Sequence, residues 1–231
     1  MIKNFGNKKQ KQITIIGIGG GGQNIVNYLH NRMHNVNLIS INSDEQILHF
    51  AKTKAILVTD NNAIILSKNK VLILLKFLTD KIFAIKQSLG CGGDVNRGRY
   101  LAEKHIEKIA KLSGFADSGK IILISTFGGG FGTGATPVIA KYLKTSGIKN
   151  SAIVTIPFPF EGQIRMNAGE SGVNELKKYV EDYDVLNNEQ FMQDNANKIT
   201  IKDLFDNVGE LFHTRILLRI GGRYVSDGRW I

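Results

Sequence analysis

The sequence predicts an α/β fold in which a mostly parallel, Rossmann-like sheet carries helices on both faces and ends in a long core helix. Short segments rich in β-branched residues alternate with segments of helical periodicity, and this alternation is typical of parallel sheets. The strand segments are continuous apolar runs, as expected for strands covered on both faces. Glycine-rich loops follow two of these strands, at the edge where parallel sheets bind ligands.

Six segments are predicted as strands because each is a short apolar run bounded by polar or glycine-rich sequence. They are 13–17, 37–41, 55–59, 120–125, 151–156 and 183–186. Six other segments are predicted as helices from their periodicity, and in the clearest of them Leu101, Ile109 and Leu112 share one face. The predicted helices are 23–32, 44–51, 97–112, 133–145, 168–180 and 200–218.

Composition limits the class of protein. The chain has 231 residues and 42% hydrophobic content, which is enough for one large core. The single cysteine, Cys91, excludes an internal disulfide framework and fits a reducing cytoplasm. The most apolar stretch, 64–85, is interrupted by lysines and an aspartate, so no membrane span is predicted.

The net charge of +10 has two interpretations, an anionic partner or a compositional bias. The lysines are scattered along the chain, which favours the bias. No motif combines basic and aromatic residues as nucleic-acid-binding modules do, so no nucleic-acid partner is expected.

The first glycine-rich loop, GIGGGGQN at 17–24, follows a predicted strand and opens a predicted helix. Glycines let the backbone approach a phosphate closely, and a helix start offers free N–H groups to an anion. The spacing of Gly17, Gly19 and Gly22, with Asp44 roughly 20 residues further on, also fits the dinucleotide-binding pattern. A structural turn without a ligand is the third interpretation, and Asp44 is alternatively the N-cap of its short helix.

The second glycine-rich loop, GGGFGTG at 128–134, also follows a predicted strand and opens a helix. It lacks the Lys-Ser/Thr pair that closes a P-loop. A triphosphate benefits from a second cradle because its charge must be met from more than one side, whereas a dinucleotide site does not need one. A weaker third loop, LGCGGD at 89–94, contains Cys91, which is predicted to be a small filler residue. A purely structural role is the alternative for the loop at 128–134.

These loops, in this order and followed by PFPFEG at 157–162, resemble the tubulin/FtsZ family, and FtsZ in particular. The segment NSDEQ at 42–46 is similar to the family's second loop, and GGGFGTG to its signature loop. The resemblance runs from about Ile13 to Phe191 and fades after Phe205.

The resemblance implies the tubulin/FtsZ GTPase fold and a division of the chain into three parts. A basic N-terminal tail at 1–12 precedes a nucleotide-binding domain at 13–199. A long helix and a divergent tail follow at 200–231, and the second domain of the family is missing.

By the same resemblance the cofactor is GTP or GDP, and Mg²⁺ is allowed beside the phosphates. The implied nucleotide-binding residues are Gly20, Gly21, Gly22, Gln23, Asn24, Asp44, Gly92, Gly93, Gly130, Phe131, Gly132, Thr133, Gly134, Glu161, Arg165, Asn188, Phe205 and Gly209. Glu161 would bind the ribose and Arg165 the sugar and phosphates, while Asn188 and Phe205 would contact the base. Three local alternatives stay open: a helix cap for Glu161, a surface charge for Arg165 and core packing for Phe205.

Four features depart from the family pattern. Phe131 replaces the first threonine of the signature loop and removes a hydroxyl near the phosphates. Gly209 stands where the family has the Asn or Asp that reads guanine, and Glu210 points about 100° away around the helix. The segment 61–87 is longer and more apolar than its equivalent. The catalytic loop N-x-D-x-x-D is not found, so no catalytic residue is assigned and hydrolysis by this chain alone is expected to be weak.

The resemblance therefore favours a GTP-binding division protein of the cytoplasm and the division site, with GTP hydrolysis completed between subunits. It would assemble with itself or with a full-length FtsZ-like subunit and reach membrane tethers of the division ring only indirectly. The alternative is a non-hydrolysing capper or inhibitor of a full-length relative. An NAD-dependent oxidoreductase is the third interpretation, and the second glycine loop argues against it.

Overall fold

The computed structural model describes residues 12–66, 88–187 and 201–221, and the side chains of all of these except 187 and 201–206. In this part of the chain, seven strands form one sheet in the order β4-β3-β2-β1-β5-β6-β7. The strands are β1 (Ile13–Ile18), β2 (Val36–Asn42), β3 (Lys54–Val58), β4 (Ala63–Ile65), β5 (Lys120–Thr126), β6 (Asn150–Ile156) and β7 (Asp182–Asn187). All neighbouring pairs are parallel except β3 and β4, which are antiparallel. The predicted parallel α/β sheet is confirmed.

The six predicted strands are all present, and β4 is an addition. Strands β1, β5 and β6 are apolar and almost wholly buried, which is why composition located them, whereas Tyr183 and Val185 of β7 are exposed. The edge strand β4 is three residues long and leaves Ile64 and Ile65 exposed, so it gave no periodic signal. It belongs to the apolar segment 61–87, of which residues 67–87 lie outside the described part of the chain.

Within the described residues, six helices cover the sheet or its edge. They are α1 (Gly19–Leu29), α2 (Glu45–Leu48), α3 (Val95–Ser113), α4 (Gly130–Thr145), α5 (Gln163–Leu176) and α6 (Ile201–Arg219). The predicted starts of α1 at 23, α4 at 133 and α5 at 168 are wrong, because each helix begins three to five residues earlier. In α1 and α4 these first turns are glycine-rich, and the low helix propensity of glycine gives them the composition of a loop.

The two faces of the sheet carry separate hydrophobic cores. Side chains of α3, α4 and α5 pack on one face against strand residues such as Ile16 and Leu123. Helices α1 and α6 pack on the other face against Ile15 and Ile122. Neighbouring residues of a strand point to opposite faces of the sheet, so each core strand contributes side chains to both cores. The long core helix is confirmed, since Phe212 of α6 is fully buried.

Glycines bring α3 and the start of α4 into direct backbone contact. A Cβ on Gly98 of α3 would overlap the carbonyl oxygen of Gly130 and stand 2.8 Å from Cα of Phe131. A Cβ on Gly134 would overlap the carbonyl oxygen of Val95. The N-terminus of α4 is therefore held in place by a close helix pair that only glycine permits.

Hydropathy adds one further observation. None of the helices within the described ranges combines the length and apolar character that crossing a bilayer requires.

Candidate functional site

A cavity of about 690 Å³ opens at the carboxyl ends of the central strands. Its walls come from the residues that directly follow β1, β2, β5 and β6, together with the loop before α3. The lining residues are 19–21, 42–44, 47, 89–93, 126–132, 155–158, 160, 161 and 165. This is the edge at which parallel sheets bind ligands, so the predicted position of the site agrees with the cavity.

The two glycine loops meet inside this cavity. A Cβ on Gly19 would stand 3.0 Å from both N and Cα of Gly132, which leaves no room for a side chain between them. The Ser125 hydroxyl at the end of β5 donates a 3.0 Å hydrogen bond to the carbonyl oxygen of Ile18 at the end of β1. The neighbouring strands thus fix the start of α1 beside the start of α4.

Both helices that open into the cavity lack a side-chain cap. The N-cap residues Ile18 of α1 and Gly129 of α4 make no capping hydrogen bond, and neither first turn contains an acidic residue. The nearby helices α2 and α3 differ, because Asp44 accepts a hydrogen bond from Ile47 N (3.1 Å) and Asp94 from Arg97 N (3.0 Å). Uncapped first-turn N–H groups and the positive end of the helix dipole favour an anion. Two such helix ends facing one cavity suit a ligand with several negative charges.

Glycine is required in these loops by backbone conformation and by space. Gly19 (φ +76°) and Gly128 (φ +94°) have left-handed backbones that side chains disfavour. A Cβ on Gly21 would overlap the Thr126 hydroxyl. Gly92 and Gly93 also have positive φ, and the space beside them is open.

An arginine and a glutamate lie at the mouth of the cavity. Arg165 Nη1 donates a 2.8 Å hydrogen bond to Glu161 Oε2, and Phe158 N donates a 3.0 Å hydrogen bond to Glu161 Oε1. Glu161 therefore caps the short turn Pro159–Glu161 and does not cap α5. The Phe158 and Phe160 rings stack with centroids 4.9 Å apart. This places a cation, a carboxylate and an aromatic surface beside the two helix ends.

Asp44 and Cys91 line the cavity and also have local roles. Asp44 is the N-cap of α2, as one of its two interpretations predicts. Burial raises the pKa of the Cys91 thiol, and its Sγ lies 3.2 Å from the Ser43 hydroxyl. A buried thiol with a raised pKa fits the predicted filler role.

Asn42, at the end of β2, carries a buried donor with no partner. Its Oδ1 accepts hydrogen bonds from Ser43 N (2.8 Å) and Asp44 N (3.4 Å), while Nδ2 has no partner among the described residues. An unpaired buried donor is costly, and Asn42 belongs to the cavity wall. The sequence places Asn42 in the motif at 42–46 but does not predict it as a site residue.

Phe131 and Thr133 hold the second glycine loop from the core side. Phe131 is buried in the same core cluster as Cys91 and Phe127, and it also contributes to the cavity wall. Thr133 is buried, and its Oγ1 accepts a 2.8 Å hydrogen bond from Gly128 N. Thr133 thus fixes the loop from beneath and does not line the cavity.

Three residues of the first loop lie outside the cavity wall. Gly22 packs against Ile124 O, where its Cβ would stand at 2.6 Å. Gln23 is buried and donates a 2.6 Å hydrogen bond from Nε2 to Ile47 O. Asn24 is exposed.

Of the four other predicted site residues, two pack against helices and two lie outside the described part of the chain. Gly134 packs against α3, and Gly209 packs against Tyr28 of α1. Asn188 and the side chain of Phe205 lie outside the described part of the chain. The nucleotide roles given to all these residues stay predictions.

Sequence reasoning missed several wall residues. They are Gly19, Asn42, Ser43, Ile47, Leu89, Gly90, Cys91, Thr126, Phe127, Gly128, Gly129, Thr155, Ile156, Pro157, Phe158 and Phe160. Most of them lie at the carboxyl end of a strand or directly after it, and this position in a parallel sheet is the signal that would have found them.

The described side chains also bear on metal binding. Among the residues that the structure describes, no group of three or more His, Cys, Asp and Glu side chains is placed to hold a metal ion.

Comparison with known proteins identifies relatives of the chain. Residues 12–196 match the family model described as "Tubulin/FtsZ family, GTPase domain". The chain is 32% identical over 195 residues to "Cell division protein FtsZ" of Buchnera aphidicola subsp. Baizongia pistaciae, covering 84% of this chain and 44% of that protein. It is 33% identical over 198 residues to the protein of the same name from Aquifex aeolicus, covering 85% of this chain and 47% of that protein.

The solved structures agree with the sequence comparison. The "FtsZ dimer, empty" of M. jannaschii superposes with a TM-score of 0.70 at 28% identity, covering 89% of this chain and 53% of that one. The chain thus spans about half the length of the relatives that it matches.

Proposed function

The chain belongs to the tubulin/FtsZ family, and we propose that it binds GTP in the cavity and thereby assembles into, or regulates, a division filament. The observation that carries the proposal is the convergence of two uncapped helix N-termini, at Ile18 and Gly129, on one cavity. A triphosphate needs its charge met from more than one side, and this arrangement provides two sides.

The size and chemistry of the cavity support a nucleotide. Ligand pockets commonly have volumes of about 300–1,000 Å³, and this cavity has about 690 Å³. In the proposal the phosphates lie on the backbone at 19–21 and 129–132, beside the Arg165 guanidinium. Glu161 accepts hydrogen bonds from the ribose hydroxyls. Asn188 and Phe205 keep their predicted role at the base.

Mg²⁺ is proposed to bind only together with the nucleotide phosphates. Asp44 and the hydroxyls of Ser43 and Thr126 are oxygen donors in the cavity wall, and oxygen ligands are what Mg²⁺ takes. A bound ion would neutralise part of the phosphate charge.

Hydrolysis is proposed to be completed between subunits. The two carboxylates of the cavity wall, Asp44 and Glu161, are each engaged in local hydrogen bonds. The 231 residues contain no N-x-D-x-x-D motif. We therefore expect the isolated chain to bind GTP and to hydrolyse it slowly, because orientation of the attacking water supplies much of the rate.

The nucleotide that co-purifies with the chain tests the proposal. Released ligand is identified by chromatography, and GTP, GDP and NAD are then titrated into the nucleotide-free protein by calorimetry. The proposal expects a guanine nucleotide and one GTP site per chain. NAD binding without GTP binding would establish a dinucleotide protein instead.

A capping role is the second candidate, and the exposed apolar rim of the cavity favours it. Phe160, Leu89 and Ile164 expose most of their side chains beside the site. Large apolar side chains exposed together indicate a surface that contacts another protein.

Sedimentation separates the two candidates. The chain is mixed with a full-length FtsZ and GTP, and the pelleted polymer is measured against FtsZ alone. A filament subunit enters the pellet, whereas a capper reduces the pellet at substoichiometric amounts. If the pellet is unchanged and the chain stays in the supernatant, both filament roles are wrong.

A further inference from the structure

Thr126, the last residue of β5, lies between the two glycine loops and lines the cavity. Its half-buried side chain faces the first turn of α1, because a Cβ on Gly21 would overlap the Thr126 hydroxyl and stand 2.7 Å from its Cβ. Its backbone faces the first turn of α4, where a Cβ on Gly132 would stand 3.1 Å from the Thr126 carbonyl oxygen. Thr126 therefore adjoins both helices whose N-termini open into the cavity.

The other hydroxyl groups around the second glycine loop are already bonded to the backbone. Ser125 and Thr136 each donate a hydrogen bond to a backbone carbonyl oxygen, of 3.0 and 2.6 Å. Thr133 accepts a 2.8 Å hydrogen bond from Gly128 N and does not line the cavity. Among the described residues, the Thr126 hydroxyl has no hydrogen-bond partner. Of these four hydroxyl groups, the one in the cavity wall is the one left for a ligand.

The loops beside Thr126 offer the cavity no other side-chain donor. The first turn of α1 is glycine throughout, at 19–22. In the second loop Phe131 is apolar, and the other residues apart from Thr133 are glycines. The donors of both loops are thus backbone N–H groups, and the Thr126 hydroxyl adds a donor from the side of the sheet. A hydrogen bond to a charged acceptor is roughly twice as strong as one to a neutral acceptor.

We propose that Thr126 is a phosphate-binding residue whose hydroxyl donates a hydrogen bond to a phosphate oxygen lying between the two helix N-termini. The inference rests on the proposed function, which puts the phosphates on the backbone at 19–21 and 129–132. The O–H group supplies the proton of the bond, and phosphate oxygens accept it. A β-branched side chain is stiff at χ1, so binding costs Thr126 little rotamer freedom.

Calorimetry of Thr126→Val and Thr126→Ser tests the inference at one fixed Mg²⁺ concentration. Valine has nearly the shape of threonine without the hydroxyl, so GTP and GDP should bind about ten- to a hundredfold more weakly. Serine keeps the hydroxyl and should stay within about fivefold of wild type. Both variants should keep a urea midpoint close to that of wild type, because the hydroxyl has no partner in the free chain. Thr126→Ala, which also lacks the hydroxyl, gives the same test if the valine variant fails to fold.

Thr145→Val is the matched control. Thr145 ends α4 away from the cavity and donates its hydrogen bond to the Tyr142 carbonyl oxygen, so this variant should bind GTP as wild type does. A Thr126→Val protein that binds GTP as tightly as wild type would overturn the inference while leaving GTP binding intact. A wild-type chain that binds no GTP would instead overturn the proposed function.

Guanosine and EDTA locate the contact of the hydroxyl. Guanosine has no phosphate, so its affinity, measured by displacement of a fluorescent GDP analogue, should be the same in wild type and Thr126→Val. An equal loss for guanosine and GDP would place the hydroxyl at the sugar or the base and overturn the inference. The loss for GDP should persist in EDTA. A loss that disappears in EDTA would show that Thr126 acts through a bound metal ion, and the direct hydrogen bond would be wrong.

Discussion

Gly19 and Gly132 touch, although they belong to different glycine loops that follow different strands. A Cβ on Gly19 would lie 3.0 Å from N and Cα of Gly132, and a Cβ on Gly132 would lie 2.7 Å from the Ser125 hydroxyl. This contact sets the two helix N-termini side by side at one cavity.

Alanine substitutions at two glycines of the second loop should separate folding from binding. Gly132→Ala forces a methyl group against Ser125 and should lower the free energy of unfolding by about 1–3 kcal/mol. Gly129→Ala meets no atom within 4 Å and has an ordinary extended backbone, so its stability should stay within about 0.5 kcal/mol of wild type. Its methyl group enters the space beside the cavity and should weaken GTP binding. Urea denaturation and calorimetry measure the two effects, and equal stability losses in both variants would contradict this description of the loop.

Arg165 should matter for GTP affinity and little for folding. Arg165→Ala removes a charged donor from the mouth of the cavity and should weaken GTP binding about ten- to a hundredfold. Its ion pair with Glu161 is exposed, and exposed pairs contribute little to stability.

Lys178→Ala is the matched control for that variant. Lys178 forms an equally exposed pair of 2.7 Å with Glu175, remote from the cavity wall. Similar losses of GTP affinity in both variants would show that Arg165 acts only through the overall charge of the protein.

The Cys91 thiol should be unreactive in the folded chain near neutral pH. Burial raises its pKa above the ordinary value of about 9, so the reactive thiolate forms only at higher pH than in an exposed thiol. Ellman's reagent at pH 7.5 should react slowly with the folded protein, rapidly in denaturant, and faster as the pH rises. A fast reaction of the native protein at pH 7.5 would contradict the buried placement of this thiol.

His213 should make the protein less stable in mild acid. Partial burial of the imidazole lowers the pKa of His213, on α6, below 6.5, although the Glu210 carboxylate lies 3.8 Å away. Between that lowered pKa and 6.5 the unfolded chain binds more protons than the folded one, so stability falls as the pH falls through this range.

His213→Gln removes this titration and should reduce the shift of the urea midpoint between pH 7 and pH 5. The urea midpoints of wild type and variant are compared at both pH values, so the contributions of the other histidines cancel. An identical shift in both proteins would show that His213 does not contribute to the acid sensitivity.

The strands and the edge that carries the site could be predicted from the sequence, because both depend on local patterns. Runs such as that of β5 are apolar since both of their faces are buried, and glycines after a strand mark the ligand-binding edge. The starts of α1 and α4 could not be predicted, because glycine in a first helical turn has the composition of a loop.

Contacts between segments far apart along the chain could not be predicted from the sequence. Position 209 was singled out as a departure from the family, but nothing in the sequence indicated that Tyr28 fills the space beside it. The unpaired Nδ2 of Asn42 is likewise visible only once its surroundings are known. Both features arise from packing between elements far apart along the chain, and periodicity carries no information about such packing.

Amide hydrogen exchange with and without GTP tests most directly whether the two glycine loops bind one nucleotide. Peptides that cover 17–24 and 128–134 are followed by mass spectrometry in the free and GTP-bound chain. We expect GTP to slow exchange in both peptides at the same nucleotide concentration, because both helix N-termini donate to the same phosphates. Slower exchange in only one of the two peptides, or in neither, would contradict the shared site.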